Sequence, residues 1–129
     1  MSLKKQSVPQ FHISAVSVYV DQESQPDKRY YFFAYKITIK NVGHSPAQLM
    51  SRHWIITDGL GHQEEVRGPG VVGLQPKIQP NQSFEYESAC PLPTNSGSMK
   101  GQYYFVDDQG ENFTVEIPEF YLYAPHAIH

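Results

Sequence analysis

The stretch SRHWIITDGLGHQEEVRGPGVVGLQPKIQP, residues 51–80, decides which fold this chain can adopt. Its glycines at 68, 70 and 73 have the G-x-G-x-x-G spacing that binds a pyrophosphate in dinucleotide-binding folds. Those folds need a helix directly after the glycines, so that the phosphates lie at its N-terminus. Pro76 and Pro80 prevent such a helix, because proline has no backbone N–H and cannot donate the hydrogen bond that a helix interior requires. The stretch therefore excludes a Rossmann fold and predicts two strands joined by a glycine-rich loop.

The glycine-rich loop has two interpretations. Glycine accepts positive φ, so these residues suit a sharp corner between strands that side chains would block. Successive N–H groups in such a loop can also surround an anion, and basic side chains flank it on both sides. We predict a loop that is structural first and binds an anion such as pyrophosphate second, through Arg67, Gly68, Gly70, Gly73 and Lys77.

Alternating apolar residues outside this stretch predict further β-strands. The clearest begins at Tyr31, where every second residue through Ile39 is apolar. Before it, Phe11 to Val20 also alternates, with a change of phase near Ala15 that a β-bulge would explain. The pattern predicts the remaining strands over Ala47 to Asp58, Gln63 to Arg67, Ser83 to Ser88, Gly101 to Val106, Asn112 to Ile117 and Phe120 to Tyr123, with Cys90 to Gly97 as a loop and Pro118 as a break.

Short strands separated by turn signals, without helical periodicity or internal repeats, predict an all-β protein. The expected architecture is an immunoglobulin-like or fibronectin type III-like β-sandwich of seven to eight antiparallel strands, with a closed barrel as the alternative. Nine Tyr, seven Phe and one Trp suit the thin core of a sandwich. We expect a single domain over residues 11–124, between a flexible N-terminal arm at 1–10 and a C-terminal tail at 125–129.

Composition and charge exclude several functional classes. The 129 residues include 13 acidic and 10 basic side chains, for a formal net charge of −3, which is not typical of a nucleic-acid-binding protein. Cys90 is the single cysteine, so an internal disulfide is excluded. The N-terminus has no signal-peptide pattern, and no run approaches the roughly 18 apolar residues of a membrane span. We therefore expect a cytoplasmic protein.

Several segments of the chain resemble the bacterial ApaG family. They are Phe33 to Asn41, Leu49 to Asp58 with Ser51-Arg52-His53-Trp54, Glu64 to Pro76, Ser83 to Pro93, Gly97 to Gly101, Val106-Asp107-Asp108 and Phe113 to Phe120. The resemblance implies a fibronectin type III-like β-sandwich and an association with cobalt and magnesium resistance or efflux. It supplies no catalytic residues. Similar domains in an F-box protein and a polymerase-interacting protein look like interaction modules.

No residue set in the sequence has the spacing of a metal or catalytic site. Asp107 and Asp108 begin a hairpin turn, which accounts for them without a cation. Cys90 precedes a proline and has no recognisable histidine partner, which indicates a buried thiol and not a nucleophile. We expect no enzyme activity, no cofactor and no metal. Four histidines match no ligand signature and are interpreted as structural: His12, His44, His53 and His62.

The sequence leaves two functional hypotheses. The first is a non-catalytic soluble module that binds a protein partner or a second copy of itself through a sheet edge, because Tyr30-Tyr31-Phe32-Phe33 places aromatic residues on both faces of one strand. Without a membrane span, an efflux effect would be indirect. Direct Co²⁺ or Mg²⁺ binding would be weak and would involve carboxylates or the tail residues His126 and His129. The alternative is a nucleotide- or pyrophosphate-binding sensor or enzyme that uses the Gly68–Gly73 loop.

Overall fold

The structure, a computed structural model, describes residues 10–125 and contains eight β-strands. Two short 3₁₀ turns, Asp21–Glu23 and Pro26–Lys28, lie between the first two strands. The predicted arm and tail, including His126 and His129, lie almost entirely outside the described residues. The strands are β1 (Phe11–Tyr19), β2 (Tyr31–Asn41), β3 (Ala47–Asp58), β4 (Gln63–Pro69), β5 (Lys77–Ile78), β6 (Ser83–Leu92), β7 (Ser96–Asp107) and β8 (Asn112–Tyr123).

The strands form two antiparallel sheets. One has the order β1-β2-β6, and the other has the order β4-β3-β7-β8, with β5 paired to the start of β3. The predicted all-β sandwich of seven to eight strands is confirmed, and the chain does not close into a barrel. The sheets meet along β1 and β8, where Ser17 Oγ donates a hydrogen bond to the Tyr121 carbonyl at 2.8 Å. Residues 10–125 contain no helix long and apolar enough to cross a membrane.

An aromatic core fills the space between the sheets. The predicted inward face of β2 is confirmed, since Phe33, Ile37 and Ile39 are fully buried. Trp54 of β3 packs edge-to-face against Tyr103 of the same sheet, with ring centroids 6.3 Å apart. The hydroxyls of Tyr86 and Tyr103 form a buried hydrogen bond of 2.5 Å that connects the two sheets. The aromatic content of the sequence therefore lies where a thin sandwich core requires it.

The predicted bulge in β1 is wrong. The register between β1 and β2 runs without interruption from Phe11 opposite Asn41 to Tyr19 opposite Phe33. A regular strand keeps one side-chain phase, so Ile13 faces inward while Val16 and Val18 face outward and are 70% and 60% exposed. The apolar residues that suggested a change of phase in the sequence lie on the outer face of a regular strand.

Two predicted strand ends are also wrong. Pro118 does not break the final strand, because β8 continues from Asn112 to Tyr123 with a register shift at that point. Lys100 of β7 lies opposite both Pro118 and Glu119, which makes a β-bulge on an edge strand that tolerates proline. The predicted loop over Cys90 to Gly97 is shorter than expected, since β6 extends through Pro91 to Leu92 and β7 begins at Ser96. A further bulge occurs in β3 at Met50.

Asn41, at the end of β2, forms hydrogen bonds with the backbone of neighbouring segments. It is the residue of the described core that is both fully buried and classed as polar. Its Nδ2 donates to the carbonyls of Ser45 and Ile78 at 2.9 and 3.0 Å, and its Oδ1 accepts from the Gly43 N–H at 2.9 Å. The sequence indicated only a turn residue here.

We expect Asn41→Leu to lower the free energy of unfolding by about 3 kcal/mol, because the buried Ile78 carbonyl and Gly43 N–H lose their hydrogen bonds to the Asn41 side chain. Urea denaturation followed by circular dichroism measures the change. Asn112→Leu is the matched control, because Asn112 is exposed and its replacement should change stability by no more than about 0.5 kcal/mol. Equal midpoints for the two variants would contradict the role given to Asn41.

Candidate functional site

The glycine-rich loop uses its N–H groups internally. The Gly70 N–H donates to the Met50 carbonyl at 2.8 Å, so the loop is attached to the bulge of β3. Val71 and Leu74 donate to each other's carbonyls at 2.8 and 2.9 Å, which closes a tight turn. These three donors therefore do not point into a shared concavity as an anion nest would require.

The three glycines of the motif have different conformations. Gly70 and Gly73 have φ of +58° and +81°, and Val72 between them also has a positive φ of +43°. A Cβ on Gly70 would lie 2.1 Å from the Leu74 carbonyl oxygen, whereas one on Gly73 would meet nothing within 4 Å. Gly68 lies within β4, and a Cβ there would lie 3.0 Å from the guanidinium nitrogens of Arg52. The corner interpretation thus fits Gly70 and Gly73, and Gly68 instead makes room for a side chain.

The two basic residues predicted to hold an anion are each next to a carboxylate. Arg67 Nη2 lies 3.4 Å from Glu65 Oε1, and Lys77 Nζ lies 3.4 Å from Asp108 Oδ1. Both basic side chains are more than half exposed. Exposed pairs of this kind contribute little to stability, so they do not prevent binding to a stronger anion. Anion binding by the loop through Arg67 and Lys77 stays a prediction.

Arg52 is the functional candidate that the sequence reasoning missed. It lies on the inner face of β3, half-buried, with Gly68 of β4 on one side and Tyr103 of β7 on the other. Its Nη1 donates to the carbonyls of Pro69 and Gly70 at 3.0 Å each. The sequence feature behind this contact is Gly68, which lies opposite Arg52 in the sheet. The contact could not be predicted from the sequence, because it depends on the register between β3 and β4.

A second polar cluster lies on the outer face of the five-stranded sheet. His53 is mostly buried, and its Nε2 lies 2.7 Å from Glu65 Oε1. This hydrogen bond holds the pKa of Glu65 below its usual value. His53, Lys100, Gln102, Glu116 and Glu119 line a shallow cleft of about 480 Å³, in which Gln102 donates to Glu116. No serine, threonine or cysteine lines this cleft, so its lining offers no nucleophile of those types.

Cys90 is buried, as the sequence indicated. Burial raises the pKa of its thiol to about 11, so the thiolate required for nucleophilic or metal chemistry does not form near neutral pH. Within residues 10–125, no three His, Cys, Asp or Glu side chains are arranged to hold a metal ion.

An apolar surface covers half of the outer face of the three-stranded sheet. The register places Val18 beside Ala34 and Ala34 beside Ala89, while Phe32 lies opposite Pro91 in the next row. Tyr30 contacts Phe32, with ring centroids 6.4 Å apart. The other half of the same face is charged, and Lys36 pairs with Glu85 at 3.5 Å. We call the apolar half the valine face: Val16, Val18, Val20, Tyr30, Phe32, Ala34, Ala89 and Pro91.

The glycine-rich loop offers a direct test of its conformations. We expect Gly70→Val to lower the free energy of unfolding by roughly 3 kcal/mol or more, because it adds a clash with a backbone carbonyl to the strain of positive φ. Gly73→Val adds only the strain of a positive φ, without a clash, and should lower the free energy of unfolding by roughly 1 to 3 kcal/mol. Gly68→Val should cost the least, because the Arg52 side chain can move away. Chemical denaturation of the three variants gives the order, and a Gly68→Val that is the least stable of the three would contradict it.

Comparison with known proteins places the chain in a family. A family model described as the ApaG domain matches residues 21–107. Protein ApaG of Bdellovibrio bacteriovorus is 68% identical over 127 residues, covering 98% of this chain and 100% of the relative. Protein ApaG of Dechloromonas aromatica is 50% identical, covering 98% and 94%. The crystal structure of an ApaA protein from Bordetella pertussis is similar with a TM-score of 0.89 and 48% identity, covering 92% of this chain and 96% of that one. The chain belongs to the ApaG family.

Proposed function

We propose that this protein is a non-catalytic interaction module that binds a protein partner on its valine face. The observation that carries this proposal is the row of outward valines on β1, with Val16 and Val18 at 70% and 60% exposure. Strands with one face in solvent normally alternate apolar and polar residues, so outward valines on an edge strand need another explanation. A contiguous apolar patch bounded by charged residues is typical of a protein-binding surface.

The chemistry of the valine face favours a protein over a small ligand. Small-molecule sites are concave, and two shallow clefts of the described residues lie on the five-stranded sheet and not on the valine face. Tyr30 and Phe32 supply aromatic surface next to the valines, as the centres of protein interfaces commonly do. Lys36 and Glu85 at the border would form the polar rim of such an interface.

The association with cobalt and magnesium resistance that the family resemblance implies would then act through the partner. Calorimetry with Co²⁺ and Mg²⁺ tests this directly, with weak or no heat of binding expected. A tight site with one ion per chain that survives deletion of residues 125–129 would contradict the proposal and indicate a metal sensor.

A photo-crosslinking amino acid at position 18 tests the valine face in the cells that express the protein. We expect a defined crosslinked protein that disappears when Val16→Glu is added, because a charge on the patch must be desolvated to bind. The matched control is the crosslinker with Ser14→Glu, on the same strand and face but in the polar half, which should keep the product. No product at position 18, or equal loss in both variants, would refute the proposal. Sedimentation across concentrations identifies a second copy of the chain as the partner if a dimer forms.

A further inference from the structure

We infer that Arg52 is a carboxylate-binding residue, fixed through Nη1 by the glycine-rich loop and open to an external carboxylate through its Nε–Nη2 edge. The inference goes beyond the proposed function, because β3 and the loop belong to the sheet that does not carry the valine face. A negative result here would leave crosslinking at position 18 unaffected, so the two proposals fail separately.

The backbone around Arg52 holds its guanidinium in one place. The two Nη1 hydrogen bonds, to the Pro69 and Gly70 carbonyls, fix one end of the planar group. A Cβ on Gly68 would lie 3.0 Å from Nη1 and Nη2 and 3.1 Å from Cζ, so the guanidinium rests directly on the glycine backbone. An arginine fixed in this way loses little conformational entropy when it binds a ligand.

The remaining edge of the guanidinium has no partner in the part of the chain that the structure describes. Arginine has five N–H donors, and the two on Nη1 are used. No hydrogen bond or ion pair of a described residue reaches Nε or Nη2, and no fully buried side-chain nitrogen of the described residues lacks a partner, so these two atoms are not fully buried. Nε and Nη2 present parallel N–H groups whose spacing matches the two oxygens of a carboxylate.

The surroundings strengthen the attraction for an anion. Arg52 is half-buried between the sheets, and its charge acts on the buried hydroxyls of Tyr86 and Tyr103, whose pKa values it lowers against the larger effect of burial. Water screens a charge less at such a position than at the surface. None of the described residues supplies the carboxylate that usually accompanies a half-buried arginine, so a ligand carboxylate would complete the pair.

The site fits a single carboxylate better than a pyrophosphate. Only one donor pair is available, and the neighbouring N–H groups of Gly70, Val71 and Leu74 are used within the backbone. The loop also directs two carbonyl oxygens at the guanidinium, which would repel a multiply charged anion. The carboxylate could come from a small organic acid or from an acidic side chain of a peptide.

The Arg52 Nε–H signal and the backbone N–H signals of Gly68 and Gly70 in ¹H–¹⁵N spectra of the full chain report binding at the site, and the two backbone signals remain in Arg52 variants. The probes are succinate, a blocked peptide containing one aspartate, and pyrophosphate, each compared with sodium chloride at equal ionic strength. We expect a saturable shift with a carboxylate probe and binding at least tenfold weaker in Arg52→Lys, which keeps the charge but lacks the paired donors. Arg29→Lys is the matched control, because Arg29 is an exposed arginine outside the glycine-rich loop and should keep full affinity.

Several outcomes would overturn the inference. They are the absence of a saturable shift with both carboxylate probes, equal affinity in Arg52→Lys, and tighter binding of pyrophosphate than of either carboxylate. If succinate binds and the peptide does not, the carboxylate belongs to a small organic acid. If the peptide binds and succinate does not, it belongs to an acidic protein segment. If Arg52→Lys does not fold, Gly68→Ala takes its place, because it keeps Arg52 and displaces only its guanidinium. Unchanged affinity in Gly68→Ala would then refute the role of Gly68 in placing the guanidinium.

Discussion

Replacing Gly101 with alanine is expected to lower the free energy of unfolding by about 4 kcal/mol. Gly101 lies in β7 opposite Trp54 of β3 and Ile117 of β8, in the middle of the five-stranded sheet. A Cβ at this position would lie 2.0 Å from the carbonyl oxygen of His53. Real Cβ atoms do not approach an oxygen so closely, and the backbone of a central strand cannot shift without breaking its hydrogen bonds on both sides.

Guanidinium chloride denaturation measures this effect, and two other glycines serve as controls. Gly61 and Gly110 have φ of +87° and +79°, and a Cβ on either would meet nothing within 4 Å. Alanine at these positions should therefore cost only the strain of positive φ, about 1 kcal/mol. If Gly101→Ala unfolds at the same denaturant concentration as Gly61→Ala, the sheet accommodates the methyl group and this account of β7 is wrong.

The buried tyrosines should make the protein unfold cooperatively in alkali. Burial raises the pKa values of Tyr35, Tyr86 and Tyr103 in the folded state. These groups stay protonated when folded but ionise in the unfolded chain above a pH of about 10, so their contribution to stability is complete below that pH and is lost as the pH rises further. Each such tyrosine lowers the free energy of unfolding by about 1.4 kcal/mol per pH unit. Three of them can unfold a typical domain within a few pH units.

Tyrosinate absorbance near 295 nm, recorded with circular dichroism, shows this transition directly. We expect the buried tyrosines Tyr35, Tyr86 and Tyr103 to ionise only together with unfolding. The double variant Tyr86→Phe/Tyr103→Phe removes both members of the hydroxyl pair, which leaves no unpaired group, and it should move the alkaline midpoint upward. Tyr123→Phe should leave the midpoint in place. Ionisation of all nine tyrosines without loss of structure would refute the prediction.

Local patterns determined most of the strands and their inward faces. The alternation from Tyr31 to Ile39 predicts β2 and its buried face, since side chains on a strand alternate with period two whatever the partner is. Asp58 and Gly61 predict the β3–β4 turn for the same local reason, and Asp58 Oδ1 does accept the Leu60 and His62 N–H groups. The prolines after the glycine motif were sufficient to exclude a dinucleotide-binding helix, because that exclusion depends on the chemistry of one residue type.

The tertiary structure alone decided where residues distant in sequence meet. The phase of β1 could not be read from its valines, because only pairing with β2 shows that Val16 and Val18 face solvent and not the core. From the sequence alone, Pro118 predicted the end of a strand. In the structure it lies in a bulge of the edge strand β8, which has no second neighbour that would need the missing N–H. The pairing of Arg52 with Gly68 depends on the β3–β4 register. Register is fixed by packing of whole sheets and not by any local pattern, so the candidate sites emerged only with the fold.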